Sequence, residues 1–151
     1  MKLLSGVIAV VALLSVAASA QEQQTKLVFK TKGVDAARKL VLNHDSNYRD
    51  YIKGGMMSKD DIAIAEADLN GDEVKEIFAY TSGSLNCGSA GCTLTVYEKQ
   101  GEKLRQLMYV GTYDDIRVST NLSRGFKTIV LRGSKGNPLP WRFNGKEFSP
   151  K

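Results

Sequence analysis

The sequence predicts an α+β domain, with one or two N-terminal helices packed on an antiparallel β-meander of about six to seven strands. Between Val34 and Ile52, apolar residues recur at three- and four-residue spacing, as an amphipathic helix requires. From Asp61 onward, runs rich in Ile, Val, Thr, Tyr and Phe alternate with Gly, Asn and Asp, which indicates short strands and turns. Links such as residues 99–102 are too short for a parallel crossover, so neighbouring strands are expected to be antiparallel.

The chain begins with the features of a cleavable signal peptide, residues 1–20. Lys2 supplies a positive charge, and residues 3–16 form an apolar run that is too short to span a bilayer. Ala18-Ser19-Ala20 matches the small-x-small pattern of a cleavage site. Cleavage after Ala20 would leave residues 21–151 as a single domain, periplasmic or secreted, with no stable membrane insertion. The alternative is an uncleaved anchor, which needs a longer hydrophobic segment.

The size and charge of the chain narrow its possible functions. A processed chain of about 130 residues has the size of one domain with one hydrophobic core. The formal net charge of +5 is modest, and the basic residues are spread along the chain without forming a run. Binding of nucleic acid is therefore not expected, because it requires Lys and Arg concentrated in one patch. A protein in the cell envelope is the expected kind of partner.

Helices come first along the chain and strands afterwards. The helical segment is expected to end by Gly54-Gly55, and Asp45 and Ser46 are expected to divide it into two short helices, since both side chains compete for backbone hydrogen bonds. Before it, residues 26–30 alternate weakly and are predicted to form a strand or an extended arm. Strands are predicted near residues 62–67, 76–82, 93–98, 104–110, 116–119, 128–132 and 141–143.

The last of these strands opens a hairpin. Asn144-Gly145 lies between two aromatic segments and is typical of a type I′ turn. Trp141 and Phe143 share one face of the strand by alternation, and we expect that face to pack in the core.

An acidic segment between two predicted strands has the spacing of a calcium loop. Asp68, Asn70, Asp72 and Glu76 place oxygen-bearing side chains at positions 1, 3, 5 and 9, and the Val74 carbonyl at position 7 adds another oxygen. Calcium prefers six to eight oxygen ligands, so Ca2+ is the cofactor that this segment predicts. The alternative is a solvated turn, rich in Asp and Asn, that holds no ion.

The segment resembles the Asp-x-Asn-x-Asp loops of EF-hand and dockerin proteins, and it is more similar to the strand-loop-strand calcium sites of FG-GAP repeats. The resemblance covers residues 68–76, in one copy. Two positions depart from the pattern: Glu73 stands where the loop usually has Gly, and Ala79 stands where an EF-hand has its bidentate Glu. The resemblance implies calcium binding on a loop that is followed by a strand.

Both cysteines of the chain lie in one short segment. An exported protein meets an oxidising compartment, so a Cys87–Cys92 disulfide is expected to form and to shape the loop. The small residues between them leave backbone amides accessible to a partner or an anion. The predicted partner-binding residues are Gly88, Ser89, Ala90 and Gly91. A thiol–disulfide catalyst needs two intervening residues, and a structural zinc site would lack a ligand.

Catalytic chemistry has little support in the sequence. His44 is the only imidazole, and its place near a helix end is typical of a surface or capping residue. Asp114 and Asp115 would point to opposite faces of a strand, and a turn is the simpler interpretation. No Gly-rich phosphate loop, nucleophile elbow or His-Glu-x-x-His motif occurs, so no catalytic residue is assigned.

A signal peptide, one small β-rich domain, one disulfide and protruding loops together resemble periplasmic lysozyme inhibitors and immunity proteins against cell-wall hydrolases. Ser82-Gly83 is similar to the Ser-Gly of the inhibitor loop in those lysozyme inhibitors, although Leu85 and Asn86 stand where an aromatic residue is expected. The resemblance implies an exported, non-catalytic binding protein. A calcium-binding envelope protein and an unrecognised hydrolase are the two alternatives.

Overall fold

The computed structural model describes residues 22–112, 115–132 and 135–151, which form two α-helices and ten β-strands. The predicted signal peptide, residues 1–20, lies outside the described residues, as does Asp114. Among the described helices, none is both long enough and apolar enough to cross a membrane.

The helical segment divides in two where the sequence predicts. Helix α1 spans Asp35–His44 and helix α2 spans Ser46–Lys53. Asp45 lies between them in an extended conformation, and its side chain accepts a hydrogen bond from the Asn47 backbone N–H at 2.9 Å. The carboxylate of Asp45 therefore satisfies a backbone donor at the start of α2, which is what a capping residue does.

The ten strands form two antiparallel sheets. They are β1 (Gln24–Lys26), β2 (Ile62–Ala67), β3 (Glu76–Thr81), β4 (Cys87–Gly88), β5 (Gly91–Gln100), β6 (Lys103–Thr112), β7 (Ile116–Ser123), β8 (Phe126–Arg132), β9 (Pro138–Phe143) and β10 (Phe148–Pro150). The first sheet has the order β1-β7-β8-β9-β10. In the second sheet β2, β3, β5 and β6 are neighbours in that order, and the short β4 pairs with the start of β5.

The α+β class and the antiparallel pairing are confirmed, but the predicted strand count is wrong: ten strands form, not six to seven. The three additional strands, β1, β4 and β10, contain only two or three residues each. Runs this short cannot show an alternating pattern, and each forms because a longer strand offers it an edge. Of residues 26–30, which are predicted to form a strand or an extended arm, Lys26 ends β1 and Lys30 makes an isolated bridge with Ile64.

Strand β3 lies in the middle layer of three, between the helices and the first sheet. Its residues alternate between two cores: Phe78 clusters with Ile129 of the first sheet, while Ile77 and Ala79 cluster with Val41 of α1. The first four residues of β3 are all buried. A strand covered on both faces is a rigid support for the loops at its two ends.

The C-terminal hairpin forms, but the predicted type I′ turn is wrong. Phe143 pairs with Phe148, so the loop between them has four residues instead of two. Oδ1 of Asn144 accepts hydrogen bonds from the backbone N–H groups of Lys146 and Glu147, at 2.9 and 3.0 Å. These side-chain contacts stabilise a wider loop than the two-residue turn that the dipeptide favours.

Candidate functional site

Strand β3 connects the two segments that the sequence marks as functional. The acidic loop, residues 68–75, precedes it, and the cysteine hairpin, residues 87–92, follows it after a short loop, residues 82–86. A strand of this length spans about 20 Å. The two segments are therefore treated as separate sites.

In the acidic loop, three of the predicted calcium ligands accept hydrogen bonds from backbone N–H groups of the same loop. Oδ1 of Asp68 accepts from Gly71 at 2.6 Å, and Oδ1 of Asp72 accepts from Val74 at 2.8 Å. Oδ1 of Asn70 accepts from the Asp72 N–H at 3.0 Å, and its amide nitrogen donates to Oδ2 of Asp72 at 2.9 Å. The three side chains are thus brought together in one tight turn.

Glu73 stands at the loop position where calcium sites usually have Gly, and it adopts the backbone conformation that Gly normally provides. Its φ is 68°, in the left-handed region that is unfavourable for a residue with a side chain. The Glu73 N–H donates to Oδ2 of Asp68 at 3.3 Å. Hydrogen bonds from the backbone, that of Gly71 first, lower the pKa of Asp68 below its ordinary value.

Glu76, the predicted ligand at position 9, lies in the core. Its side chain is buried, and Oε2 accepts a hydrogen bond from the Leu69 backbone N–H at 2.7 Å. Burial raises the pKa of Glu76 to about 7, against the hydrogen bonds that favour the ionised form, and the charges of Asp72 and Asp68 add to the rise. The Glu76 carboxyl group therefore anchors the acidic loop and is only partly ionised at neutral pH.

The five predicted calcium ligands are thus divided between different environments. Asp68, Asn70 and Asp72 share the turn, Glu76 is in the core, and Val74 is 46% exposed. Within the described ranges, no group of three or more His, Cys, Asp or Glu side chains is arranged to hold a metal ion. A calcium ion in this loop would compete with backbone N–H groups for the oxygens of Asp68 and Asp72.

Lys127 of β8 joins the acidic loop to the first sheet. Its Nζ donates to the Asp68 carbonyl at 2.8 Å, and its backbone N–H donates to the Leu69 carbonyl at 2.7 Å. Lys127 and Asp68 are 59 positions apart in the chain, so no local signal in the sequence indicates this contact. Leu69 itself is fully buried, which adds an apolar anchor to the loop.

The cysteine hairpin is closed by the predicted disulfide. Cys87 and Cys92 are directly paired across β4 and β5, with their Cα atoms 3.9 Å apart. Gly88 pairs with Gly91, and the turn between them exposes the two residues at the tip, which are Ser89 and Ala90. The four predicted partner-binding residues therefore lie together in one hairpin turn.

Two glycines make this hairpin possible. Gly91 has φ 92°, which a residue with a side chain rarely adopts. Gly111 of β6 lies under the tip, where an added Cβ would be only 3.3 Å from the Cβ of Ala90. The hairpin therefore packs closely on β6 at Ala90.

The loop of residues 82–86 lies beside the cysteine hairpin and contains the Ser82-Gly83 pair. Asn86 holds it together, since its N–H donates to the Gly83 carbonyl at 3.0 Å and its side-chain amide donates to the Ser82 carbonyl at 3.3 Å. Oγ1 of Thr93 in β5 donates to the Asn86 carbonyl at 3.1 Å. Leu85 is 52% exposed. This loop and the hairpin are thus contiguous at one end of the second sheet.

His44 lies at the last position of α1 and is exposed. Its ring makes an edge-on contact with the Tyr97 ring, with the centroids 5.2 Å apart. Burial raises the pKa of Tyr97 above its ordinary value. This aromatic contact accounts for the position of His44 without a catalytic role, and the hydrolase alternative stays a prediction.

Comparison of the chain with models of protein families finds no match, and comparisons with curated proteins and with solved structures find none either.

Proposed function

We propose that the chain is an exported, non-catalytic binding protein of the periplasm or cell exterior, which inhibits or gives immunity against a cell-wall hydrolase. The observation that supports this proposal is the disulfide-closed hairpin with Ser89 and Ala90 exposed at its tip. A loop that is held in one conformation before its partner arrives loses less entropy on binding, which favours affinity.

The neighbouring loop enlarges this surface. It carries Ser82-Gly83, similar to the inhibitor loop of lysozyme inhibitors, and the half-exposed Leu85. An exposed apolar side chain beside exposed small residues suits an interface, which has an apolar centre and a polar rim. In the proposed complex, both segments contact the hydrolase.

Inhibition assays with purified lysozymes and bacterial wall hydrolases test the proposal. At least one enzyme should lose lytic activity on cell walls at a molar ratio near one to one. Ser89→Trp places a large side chain at the hairpin tip and should relieve this inhibition. Glu102→Trp is the matched control, because Glu102 is exposed in the turn at the opposite end of β5.

The proposal is wrong if no hydrolase in the panel is inhibited. It is also wrong, in its choice of surface, if Ser89→Trp and Glu102→Trp inhibit equally well. Circular dichroism and melting temperature of both variants establish that the fold is intact.

The second candidate function is that of a calcium-binding envelope protein. The backbone conformation of Glu73 favours it. Its φ of 68° gives the acidic loop the left-handed residue that calcium loops have at this position. The oxygens of Asp68, Asn70 and Asp72 already lie in one turn, and Ca2+ would replace N–H donors as their partner.

Thermal unfolding with millimolar calcium or with chelator tests this second function. Calcium should raise the melting temperature, and Asp72→Ala should abolish the gain. Asp60→Ala, at an exposed carboxylate outside the loop, should retain it. Equal melting curves of the unmodified chain with calcium and with chelator would exclude the calcium function.

A further inference from the structure

The N-terminal arm, residues 22–30, is shared by both sheets. Its first part, β1, pairs with β7, whereas Lys30 exchanges backbone hydrogen bonds of 2.9 and 2.8 Å with Ile64 of β2. Between these two attachments the arm crosses from one sheet edge to the other. A groove of about 610 Å³ opens between the arm, β2 and the acidic loop. Its size is within the range of small-ligand sites.

Beyond the bridge between Lys30 and Ile64, backbone groups of one residue on each side face this groove. Because Ile64 directs its backbone groups toward Lys30, alternation directs the N–H and C=O of Glu66 to the same side, away from β3. On the arm, the Leu27 N–H donates to the Ile116 carbonyl at 2.9 Å, so the backbone groups of Val28 face away from β7. Glu66 and Val28 both line the groove. Among the described strands, β1 and β2 are each the last of their sheet.

The charges that line the groove are mainly positive. They are Lys26, Lys30, Lys75 and Lys127, with Glu66 and Asp68 as the carboxylates. Glu66 is neutralised by Lys99 at 2.5 Å, and Asp68 accepts hydrogen bonds within its own loop. The groove therefore attracts a ligand of negative charge.

Two of the four lysines already have partners. The ammonium of Lys26 is 3.9 Å from Asp115, and that of Lys127 donates to the Asp68 carbonyl. Lys30 and Lys75 are exposed residues on opposite borders, one on the arm and one on the acidic loop. Lys30 and Lys75 are therefore the residues to substitute in a test that changes the charge of the groove.

We propose that this groove binds an extended, acidic peptide segment of a partner protein. The segment pairs with the backbone groups of Glu66, beyond the point where Lys30 occupies the edge of β2, and places carboxylates near Lys30 and Lys75. A small anion would use the lysines but not the strand edge, which is why a peptide fits both observations. No residue of the cysteine hairpin lines the groove, so this site is independent of the proposed hydrolase-binding surface.

Fluorescence anisotropy with a labelled peptide of alternating Glu and Val tests the proposal on the full chain as purified. A peptide of about ten residues is long enough to cross the groove as a strand. It should bind with a Kd below about 1 mM, and the same peptide with Gln in place of Glu should bind about tenfold more weakly. Lys30→Glu combined with Lys75→Glu should weaken binding by about the same factor.

Lys39→Glu combined with Lys53→Glu is the matched control, since both lysines are exposed on the helices. This pair makes the same change in net charge and should alter the affinity less than about twofold. If both double variants bind equally, the attraction is to the whole protein and the groove proposal is wrong.

A second comparison tests strand pairing separately from charge. Glu66→Pro removes the outward N–H, which an edge strand tolerates, and Glu66→Ala removes the same carboxylate but keeps the N–H. Glu66→Pro should bind the peptide more weakly than Glu66→Ala, and a peptide N-methylated at its central residues should bind weakly to both. Equal binding of the methylated and unmethylated peptides, or no binding of either, would overturn the proposal. Inorganic phosphate at millimolar concentration should not displace the peptide.

Discussion

The acidic loop and the cysteine hairpin lie at the two ends of β3, and the molecule holds them in different ways. The acidic loop is held by contacts with distant parts of the chain, through the buried Glu76 and through Lys127 of the other sheet. The cysteine hairpin is held by one covalent bond between residues five positions apart. The acidic loop is therefore anchored in the core, whereas the cysteine hairpin is closed by a bond between its own two ends.

This difference predicts different consequences when each loop is altered. A change in the anchor of the acidic loop reaches the core, because Glu76 and Leu69 are both buried. A change in the disulfide alters mainly the hairpin, because the neighbouring strands β3, β5 and β6 pair independently of it. Four changes test this difference between the loops, from the largest expected effect to the smallest.

Glu76→Ala is expected to have the largest effect. It leaves the buried Leu69 N–H without its acceptor and opens a cavity, so the free energy of unfolding should fall by about 3 kcal/mol. Urea denaturation at pH 5 measures this loss. Glu76→Gln keeps an acceptor oxygen and should lose much less. Equal losses for the two variants would show that the hydrogen bond to Leu69 is unimportant.

The raised pKa of Glu76 predicts a pH dependence of stability. Between its ordinary pKa of 4.5 and its folded value of about 7, the folded chain keeps a proton that the unfolded chain has lost. The stabilisation is therefore complete below pH 4.5 and is lost as the pH rises through 7. We expect the free energy of unfolding to decrease by about 2 kcal/mol over this range.

Denaturation of the wild type and of Glu76→Gln between pH 5 and 8 isolates this contribution. The stability of Glu76→Gln should change less with pH, so the small advantage of the wild type at pH 5 should shrink and then reverse as the pH rises. Parallel curves would mean that Glu76 titrates at its ordinary pKa. The range above pH 5 also avoids the titration of Asp68 and Asp115, whose pKa values are lowered.

Removing the disulfide, by Cys87→Ser with Cys92→Ser, should cost roughly 2 kcal/mol, because the closed loop is short. The effect should be local. Hydrogen exchange should increase at residues 87–92 and remain slow in the centre of β3. Fast exchange throughout β3 would show instead that the hairpin supports the core.

Glu73→Gly should change the free energy of unfolding least, and it should raise that free energy instead of lowering it. It relieves the left-handed backbone of Glu73 and should stabilise the fold by about 0.5–1 kcal/mol, less the entropy that Gly adds to the unfolded chain. Thermal unfolding measures the gain. Arg124→Gly is a matched control, because Arg124 has φ 49° in the turn between β7 and β8. Destabilisation by Glu73→Gly alone would show that the Glu73 side chain makes a favourable contact.

Local patterns predicted much of the secondary structure. The break between α1 and α2 followed from Asp45, whose side chain caps the second helix. Phe143 packs in the core between the sheets with Trp141 against it, as alternation along the strand predicted. These features depend on neighbours within a few positions, which a sequence displays directly.

The turn at Asn144 and the strand count were predicted less well. The dipeptide Asn144-Gly145 favours a two-residue turn, but the Asn144 side chain found two N–H donors in a longer loop. The short strands β1, β4 and β10 depend on edges offered by strands elsewhere in the fold. Competing hydrogen-bond partners and distant edges are not visible in a local pattern.

For the candidate sites, the sequence by itself determined which residues are close to one another in the chain. The disulfide between Cys87 and Cys92 was predictable for this reason, and it is present. The alternating oxygens at Asp68, Asn70 and Asp72 were equally visible, and they share one turn. Calcium binding there stays a prediction.

Only the tertiary structure decided which residues of the acidic loop and its flanks are buried, and which distant residues contact them. Glu76 looks like a loop ligand in the sequence, yet it is buried, and its carboxyl group holds the loop to the core. Lys127 reaches Asp68 across 59 positions, and the groove beside Glu66 exists because one arm pairs with two sheets. Burial and pairing between distant segments depend on how the whole chain packs, and packing is not a local property of the sequence.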